Sequence, residues 1–317
     1  MAHIIVLGAG LGGTIMAFEM KDQLRPEDTL TVVNKGTHYS FVPSNPWVAV
    51  GWRDKEEIGV DLTDVFKIHK ITFNPHGAKK IHPEQNEMEL LDGTTLHYDY
   101  LIIATGPELA FDEIEGLGPE HNTSSICHVD HALQAKTVVD SLVKNGGPVI
   151  VGAVQGASCY GPAYEFAFIL ETELRRQKVR DKVPMMFITP EPYIGHLGLD
   201  GVGDTKTMLE SAMRDKHIKW LTNAKVNKVE PNLMHIEEVH DDGSTKVKHE
   251  LPFAFSMLLP AFRGVEAHYG IEGLTNPRGF ILIDKHQQNP KYKNIFAIGV
   301  CVAIPPNGKT ALPVGVP

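Results

Sequence analysis

The chain has 317 residues, a length that suits two domains of ordinary size. Hydrophobic residues make up 42 % and charged residues 22 %, which excludes a disordered chain and fits a packed globular one. The net charge of −9 gives nucleic-acid binding no electrostatic support, and three cysteines are too few, and odd in number, for a secreted disulfide scaffold.

Taken in order, the chain enters a strand at once (Ile4, Ile5, Val6, Leu7), with no basic segment or long apolar run ahead of it. No export signal is expected, and no run reaches the ~18 apolar residues that span a bilayer. Gly8, Gly10 and Gly13 then form G-x-G-x-x-G, with Gly12 inside it, between that strand and a helical stretch. In this pattern Gly8 permits a tight turn, Gly10 lets backbone approach a pyrophosphate, and Gly13 lets helix and strand pack closely. The strand at 29–33 ends at Asn34, where a carboxylate usually accepts from the ribose; an amide oxygen can accept there too.

Residues 38–47 (His38, Phe41, Pro43, Pro46 and Trp47 among them) read as an aromatic, proline-rich loop. It is either a stiff loop packed on its own domain or an apolar wall against a flat ring. Asp92-Gly93 marks a hairpin turn, and 98–104 is a buried strand closed by Ala104, Thr105 and Gly106. Residues 107–131 look like polar loop, ending in Cys127, His128, Asp130 and His131, and a helix follows over 132–144. Cys127 and His131 supply only two metal ligands, without a second pair at suitable spacing, so no metal is expected.

The next strand runs into Gly152, Val154, Gly156, Ala157 and Cys159, and a helix follows over 162–178. Aligned at Gly152, Val154 and Ala157 replace the second and third glycines, and their side chains would crowd a pyrophosphate. Nicotinamide binding is therefore expected to be lost from this unit. Near a helix start, the dipole should favour the Cys159 thiolate, which suits a nucleophile or sulfur carrier. Glu165 is either a proton acceptor or a partner of local backbone. Strand 184–189, loop 191–198 with His196, helix 205–216, strands around 219–229 and 234–239 and a turn at 241–243 continue the alternation. A strand at 280–284 and a run at 294–300, with Gly299 and Val300, follow before a loop-like end from Ile304. Strand–helix alternation in both halves predicts an α/β fold with two Rossmann-like dinucleotide-binding domains, the second degenerate.

The glycine motif, the Ala104-Thr105-Gly106 turn, the second nucleotide-like unit and the Phe296-Ala-Ile-Gly299 run occur in the order found in flavin disulfide reductases. The chain resembles that superfamily over its whole length, and within it the sulfide:quinone oxidoreductases. That resemblance is carried by Phe41-Val-Pro-Ser-Asn-Pro-Trp47, Ser125-Ile-Cys127-His-Val-Asp-His131, Gly156-Ala-Ser-Cys159-Tyr-Gly-Pro-Ala-Tyr-Glu165, Glu191-Pro-Tyr-Ile-Gly-His196-Leu-Gly and Ile304-Pro-Pro.

The resemblance implies FAD held by Gly8, Gly10, Gly12, Gly13, Asn34, Ala104, Thr105, Gly106, Gly299 and Val300. Sulfide would be oxidised at a cysteine pair beside the flavin, with sulfur accumulating as a polysulfide chain and two electrons passing to a membrane quinone. Cys159 matches one redox cysteine and Cys127 a further family cysteine, while His131 and His196 match histidines suited to proton transfer. Glu165 joins this set, and Phe41 and Pro43 are candidate quinone walls. The implied division is 1–107 with 280–317 for FAD and 108–279 for the redox cysteine. Hydrogen sulfide and a membrane quinone are the implied partners, with peripheral, monotopic membrane association; a homo-oligomer stays open. The partner of Cys159 and the membrane-binding segment are expected beyond residue 317. Cys301 reads as a small packed residue, and Val300 stands where many relatives carry an acid. The rivals are a type II NADH dehydrogenase, the flavin subunit of a cytochrome-linked sulfide dehydrogenase, and a non-catalytic flavin-binding redox sensor.

Overall fold

The strand expected at the N-terminus is β1 (His3–Leu7), the centre of a five-stranded sheet in the computed structural model, which describes residues 1–304 apart from Asp241. Helix α1 (Leu11–Gln23) returns the chain to β2 (Thr29–Val33), and β3 (Thr72–Asn74), β4 (Tyr100–Ile103) and the C-terminal strand Ile295–Ala297 complete the sheet. All pairs are parallel, in the order Ile295–Ala297, β4, β1, β2, β3. Side chains alternate between two cores. Ile4, Val6, Val32 and Ile102 pack on one face with Ala17 of α1 and Phe66, while Ile5, Leu7, Val33 and Ile103 pack on the other. That second face is closed by an antiparallel meander, Ala78–His82, Glu87–Leu90 and Thr95–His97, whose turn is the predicted Asp92-Gly93 hairpin.

The second half repeats this plan. Helix α2 (Val129–Asn145) leads to β5 (Val149–Ala153), then α3 (Gly161–Arg176), β6 (Met185–Ile188), β7 (Ile218–Leu221) and β8 (Phe255–Leu259). These strands form a parallel sheet ordered β7, β6, β5, β8. Helices α2 and α3 cover one face over a core holding the fully buried Phe166, Phe187 and Phe255. Burying one such ring contributes about 1.5–3 kcal/mol. The other face is closed by a second meander, Ala224–Glu230, Leu233–Val239 and Thr245–Pro252.

Some predicted elements shift. The aromatic stretch at 38–47 is not a loop: it holds a short strand (His38–Ser40), a 3₁₀ turn (Val42–Ser44) and a helix (Asn45–Ala49). Pro46 in the first turn suits that helix, because its missing N–H costs nothing there, and Val48 and Ala49 bury into the core shared with α2. Helix α2 starts at Val129, so His131 lies within it. Strands Thr245–Pro252 and β8 had no counterpart in the expectations. β8 (Phe-Ser-Met-Leu-Leu) is buried at every position, as parallel strands covered on both faces are, and so shows no alternation. The turn expected at 241–243 closes through the Gly243 N–H to the His240 carbonyl (2.8 Å), with Asp241 outside the described residues. Residues 305–317, including the Pro-Pro of the terminal run, also lie outside them.

The two crossings between the halves pair with each other, Glu108 opposite Arg263 and Leu109 opposite Phe262. Arg263 donates to both Asp112 oxygens (2.9 Å each) and to Glu108 (2.9 Å), closing the seam with charge-assisted bonds. Ala261, next to that seam, forms a bridge with Ala157 in the cysteine loop.

Candidate active site

Strand register sets the first part of the site. Leu7 pairs with both Val33 and Ile103, and Ala297 with Ile103, so these strands end on one edge. Gly8, Asn34, Ala104–Gly106 and Gly299 with Val300 follow those ends, where ligands of parallel α/β sheets bind. Gly8 has φ +103°, and a Cβ there would run into the Ala104 carbonyl; one at Gly13 would run into the Gly8 carbonyl. Over Gly10, Gly106 and Gly299, by contrast, no atom of the described residues other than their chain neighbours lies within 4 Å of a Cβ position. Only Ile298 approaches Gly12, at 3.7 Å. No side chain caps α1, and its first backbone bond runs from Thr14 N–H to the Gly10 carbonyl (3.0 Å). The N–H groups of Leu11, Gly12 and Gly13 thus face an open cradle, which suits a pyrophosphate.

Asn34 departs from expectation. Its Oδ1 accepts from the Ala9 N–H (3.0 Å) and its Nδ2 donates to the Gly36 carbonyl (3.0 Å), so its amide braces the glycine turn. Thr105 donates to the Gly106 carbonyl (3.1 Å) and lies 3.2 Å from Nε2 of His268. Cys301 is buried, donates to the Ile298 and Ile103 carbonyls (3.2 and 3.4 Å), and has its thiol pushed up to about 11 by burial, as a packed residue should.

His268 is fully buried and was not expected in the site. Desolvation pushes its pKa down from 6.5 to about 4. The unfolded chain takes up this proton below 6.5 and the folded chain does so only near 4, so stability is complete above the first value and is lost as pH falls through the second. The full effect is about 3 kcal/mol. Urea unfolding of the wild-type and His268→Gln proteins across that range should show the variant with the flatter pH dependence.

In the second half, the turn after β5 differs from the one after β1. Gly152 lies inside the strand, where a Cβ would run into the Ile188 carbonyl, so it serves strand packing and not a phosphate turn. Val154 is buried in the sheet core. Helix α3 begins only at Gly161, and the intervening loop carries Cys159. Gln155 holds this loop, donating to the Val226 carbonyl (2.8 Å) and accepting its N–H (2.9 Å).

Cys159 is exposed at the loop's end, yet its surroundings are dense enough to desolvate it. Burial pushes its thiol up, and the Gly161 N–H at the helix start pulls it partly down. The helix end therefore acts as expected but does not win. Cys127 sits beneath, half-buried, with its thiol pushed up to about 11 by burial, eased by Ser125 and further raised by charge on Cys159. All three cysteines are unbridged.

His131 joins Cys127 through Ser125, whose Oγ accepts the Cys127 N–H (3.1 Å) and lies 3.3 Å from His131 Nδ1. Its ring packs 5.0 Å from His128, and burial, then the His128 charge, lowers its pKa. The Asn45 amide fixes the same segment, donating to the Ile126 carbonyl (2.9 Å). His196 is buried in its turn, with Nδ1 accepting the Gly198 N–H (3.1 Å) and Nε2 3.7 Å from Asp200. Glu165 points to solvent from α3, and no hydrogen bond ties it to either cysteine. Phe41 lines an open groove of about 410 Å³ with Tyr39, Trp47, Arg53, Ile58 and Val60; Pro43 is exposed but not among its walls. Among the described residues, no group of three or more His, Cys, Asp and Glu side chains could hold a metal ion.

The chain matches the pyridine nucleotide-disulphide oxidoreductase family over residues 2–315. It is 40 % identical to the sulfide-quinone reductase of Aquifex aeolicus over 318 residues, which is 99 % of this chain and 72 % of that protein. The solved structure of the Aquifex aeolicus sulfide:quinone oxidoreductase superposes with a TM-score of 0.92 at 39 % identity, covering 100 % of this chain and 72 % of the other. The structure of NDH2 from Plasmodium falciparum superposes at 0.74 with 15 % identity, covering 96 % and 65 %, and shares the fold.

Proposed function

The chain belongs to the pyridine nucleotide-disulphide oxidoreductases and, within them, to the sulfide-quinone reductases, and we propose that it oxidises hydrogen sulfide at Cys159 and Cys127. FAD is the cofactor, supplying two-electron redox chemistry between sulfide and quinone when bound. Net, two electrons and two protons pass from hydrogen sulfide to the quinone, and sulfur is left at the zero-valent level. The observation that carries the site assignment is an exposed cysteine at the end of a rebuilt nucleotide turn, with a second, half-buried free thiol just ahead of α2.

Each residue then has a stated task. Gly8, Gly10 and Gly13 bring backbone to the pyrophosphate, and Ala104–Gly106 with Gly299 line the same edge. Cys159 is open to hydrosulfide, and Cys127 is a second, half-buried free thiol of the same half. Burial lowers the pKa of His131, and its imidazole accepts a proton as sulfide is consumed in this proposal. His196 is held in a buried turn for a similar task. Glu165 is left without support for its candidate role.

A type II NADH dehydrogenase is the weaker reading. It needs the second turn to hold a nicotinamide dinucleotide, and that turn is longer, braced by Gln155 and filled by buried Val154. Membrane association is peripheral in this proposal. The quinone is apolar, Phe41 and Val60 of the aromatic groove are each 44 % exposed beside Val42, and no helix among the described residues is long and apolar enough to cross a membrane.

Anaerobic stopped-flow mixing with sulfide should bleach the absorbance of bound flavin, added quinone should restore it, and NADH should leave it unchanged. Bleaching by NADH and not by sulfide would overturn the proposal. Recovery with cytochrome c but not with quinone would overturn its acceptor.

A further inference from the structure

Behind the cysteine loop, the second unit buries a carboxylate that none of the roles above employs. Glu191 follows β6 and is 3 % exposed. One of its oxygens accepts from the Thr189 hydroxyl (2.6 Å) and the Tyr164 hydroxyl (2.8 Å), and the other from the Leu197 N–H (2.5 Å). The hydroxyl protons are committed to it, because Tyr164 already accepts the Gly195 N–H (3.0 Å) and Thr189 the Glu191 N–H (3.3 Å). Three donors converge on one group, and the anion is the form that can accept all three.

Those bonds join two parts of the site. Tyr164 belongs to the first turns of α3, which begins two residues after Cys159. Gly195 and Leu197 flank His196. The titratable groups facing Glu191 are Tyr160 just ahead of α3, Tyr164 within it, and Tyr193 and His196 from its own turn, with Asp200 beyond His196. Burial outweighs the other influences and raises the Glu191 carboxyl, while the three donors and the charge of His196 pull it partly down. Tyr160, Cys127 and Leu197 also pack against one apolar core.

Resting on the function proposed above, we propose that Glu191 is a positioning residue of the cysteine site: its carboxylate holds the turn carrying His196 against the first turns of α3, directly after the loop that carries Cys159 and Tyr160.

Glu191→Gln keeps the shape but presents an amide NH₂ to groups that are themselves donors, and Glu191→Asp keeps the charge. In FAD-loaded protein, Glu191→Gln should slow sulfide-dependent flavin reduction by about ten- to a hundredfold and displace its pH profile, with Glu191→Asp recovering part of the rate. Tyr164→Phe removes one donor to Glu191 and the acceptor of the Gly195 N–H, leaves the carboxylate in place, serves if the Gln variant does not fold, and should shift the profile in the same direction. The pH dependence of Cys159 alkylation by iodoacetamide, which needs no sulfide chemistry, should shift in both variants. An unchanged rate, pH profile and alkylation in Glu191→Gln and Tyr164→Phe would overturn the positioning role. So would a loss confined to stability or FAD content. Wild-type protein inert to sulfide would instead overturn the function, and the alkylation profiles would still decide the role of Glu191.

Discussion

Replacing Cys159 with Ser should abolish sulfide-dependent flavin reduction, by at least ~1000-fold, while FAD stays bound. The expectation of a clean loss rests on what holds the loop. Gln155 is bonded to both backbone groups of Val226, and Ala157 pairs with Ala261 at the seam between the halves, so the loop does not depend on the Cys159 side chain for its shape. Serine is nearly isosteric and can keep the local contact to the Gly161 N–H. It cannot carry a sulfur atom. The measurement is anaerobic stopped-flow with sulfide, read beside the flavin spectrum of the purified variant. Normal activity in the variant would remove Cys159 from the centre of the mechanism. Loss of bound FAD would instead mean that the loop supports the first unit structurally.

The nucleotide-binding half was legible because its signal is contiguous. An apolar strand, three glycines at fixed spacing and a helix lie within residues 3–23, and each glycine has a local reason to be there. The second half offered the same kinds of residues without that local logic. Gly152 looked like the first glycine of a motif, but its demand comes from Ile188 on the neighbouring strand. The half-burial of Cys127 comes from packing against the core that α2 and α3 build on one sheet face, which no spacing in the chain encodes. Cys159 showed how competing terms hide from sequence: its helix start was predictable, while the burial that outweighs it was not. Glu165 and Glu191 exchange importance for the same reason. One is near Cys159 in sequence and exposed, the other is distant in sequence and buried against Tyr164. Glu191 lay in a run that carried the family resemblance, with nothing local to mark its carboxylate as the centre of three hydrogen bonds.

The glycines of the first unit separate folding from cofactor binding, and two substitutions should show it. Gly13→Val places a side chain against the Gly8 carbonyl and close to Ala104, where backbone on both sides must move. It should cost more than about 3 kcal/mol in urea unfolding, with or without FAD. Gly10→Val should behave differently. Gly10 has φ −69° and ψ −168°, extended geometry that any residue adopts, and among the described residues no atom beyond its chain neighbours lies within 4 Å of its Cβ position. The fold without FAD should therefore keep its stability to within about 1 kcal/mol. What the valine fills is the cradle over the first N–H groups of α1, so FAD affinity should fall by at least ~100-fold, or about 3 kcal/mol. Urea midpoints measured without FAD and a flavin-fluorescence titration distinguish the two variants. Wild-type FAD affinity in Gly10→Val would place the pyrophosphate elsewhere on this edge. A Gly10→Val protein unstable without FAD would mean that the space above Gly10 serves the fold rather than the cofactor.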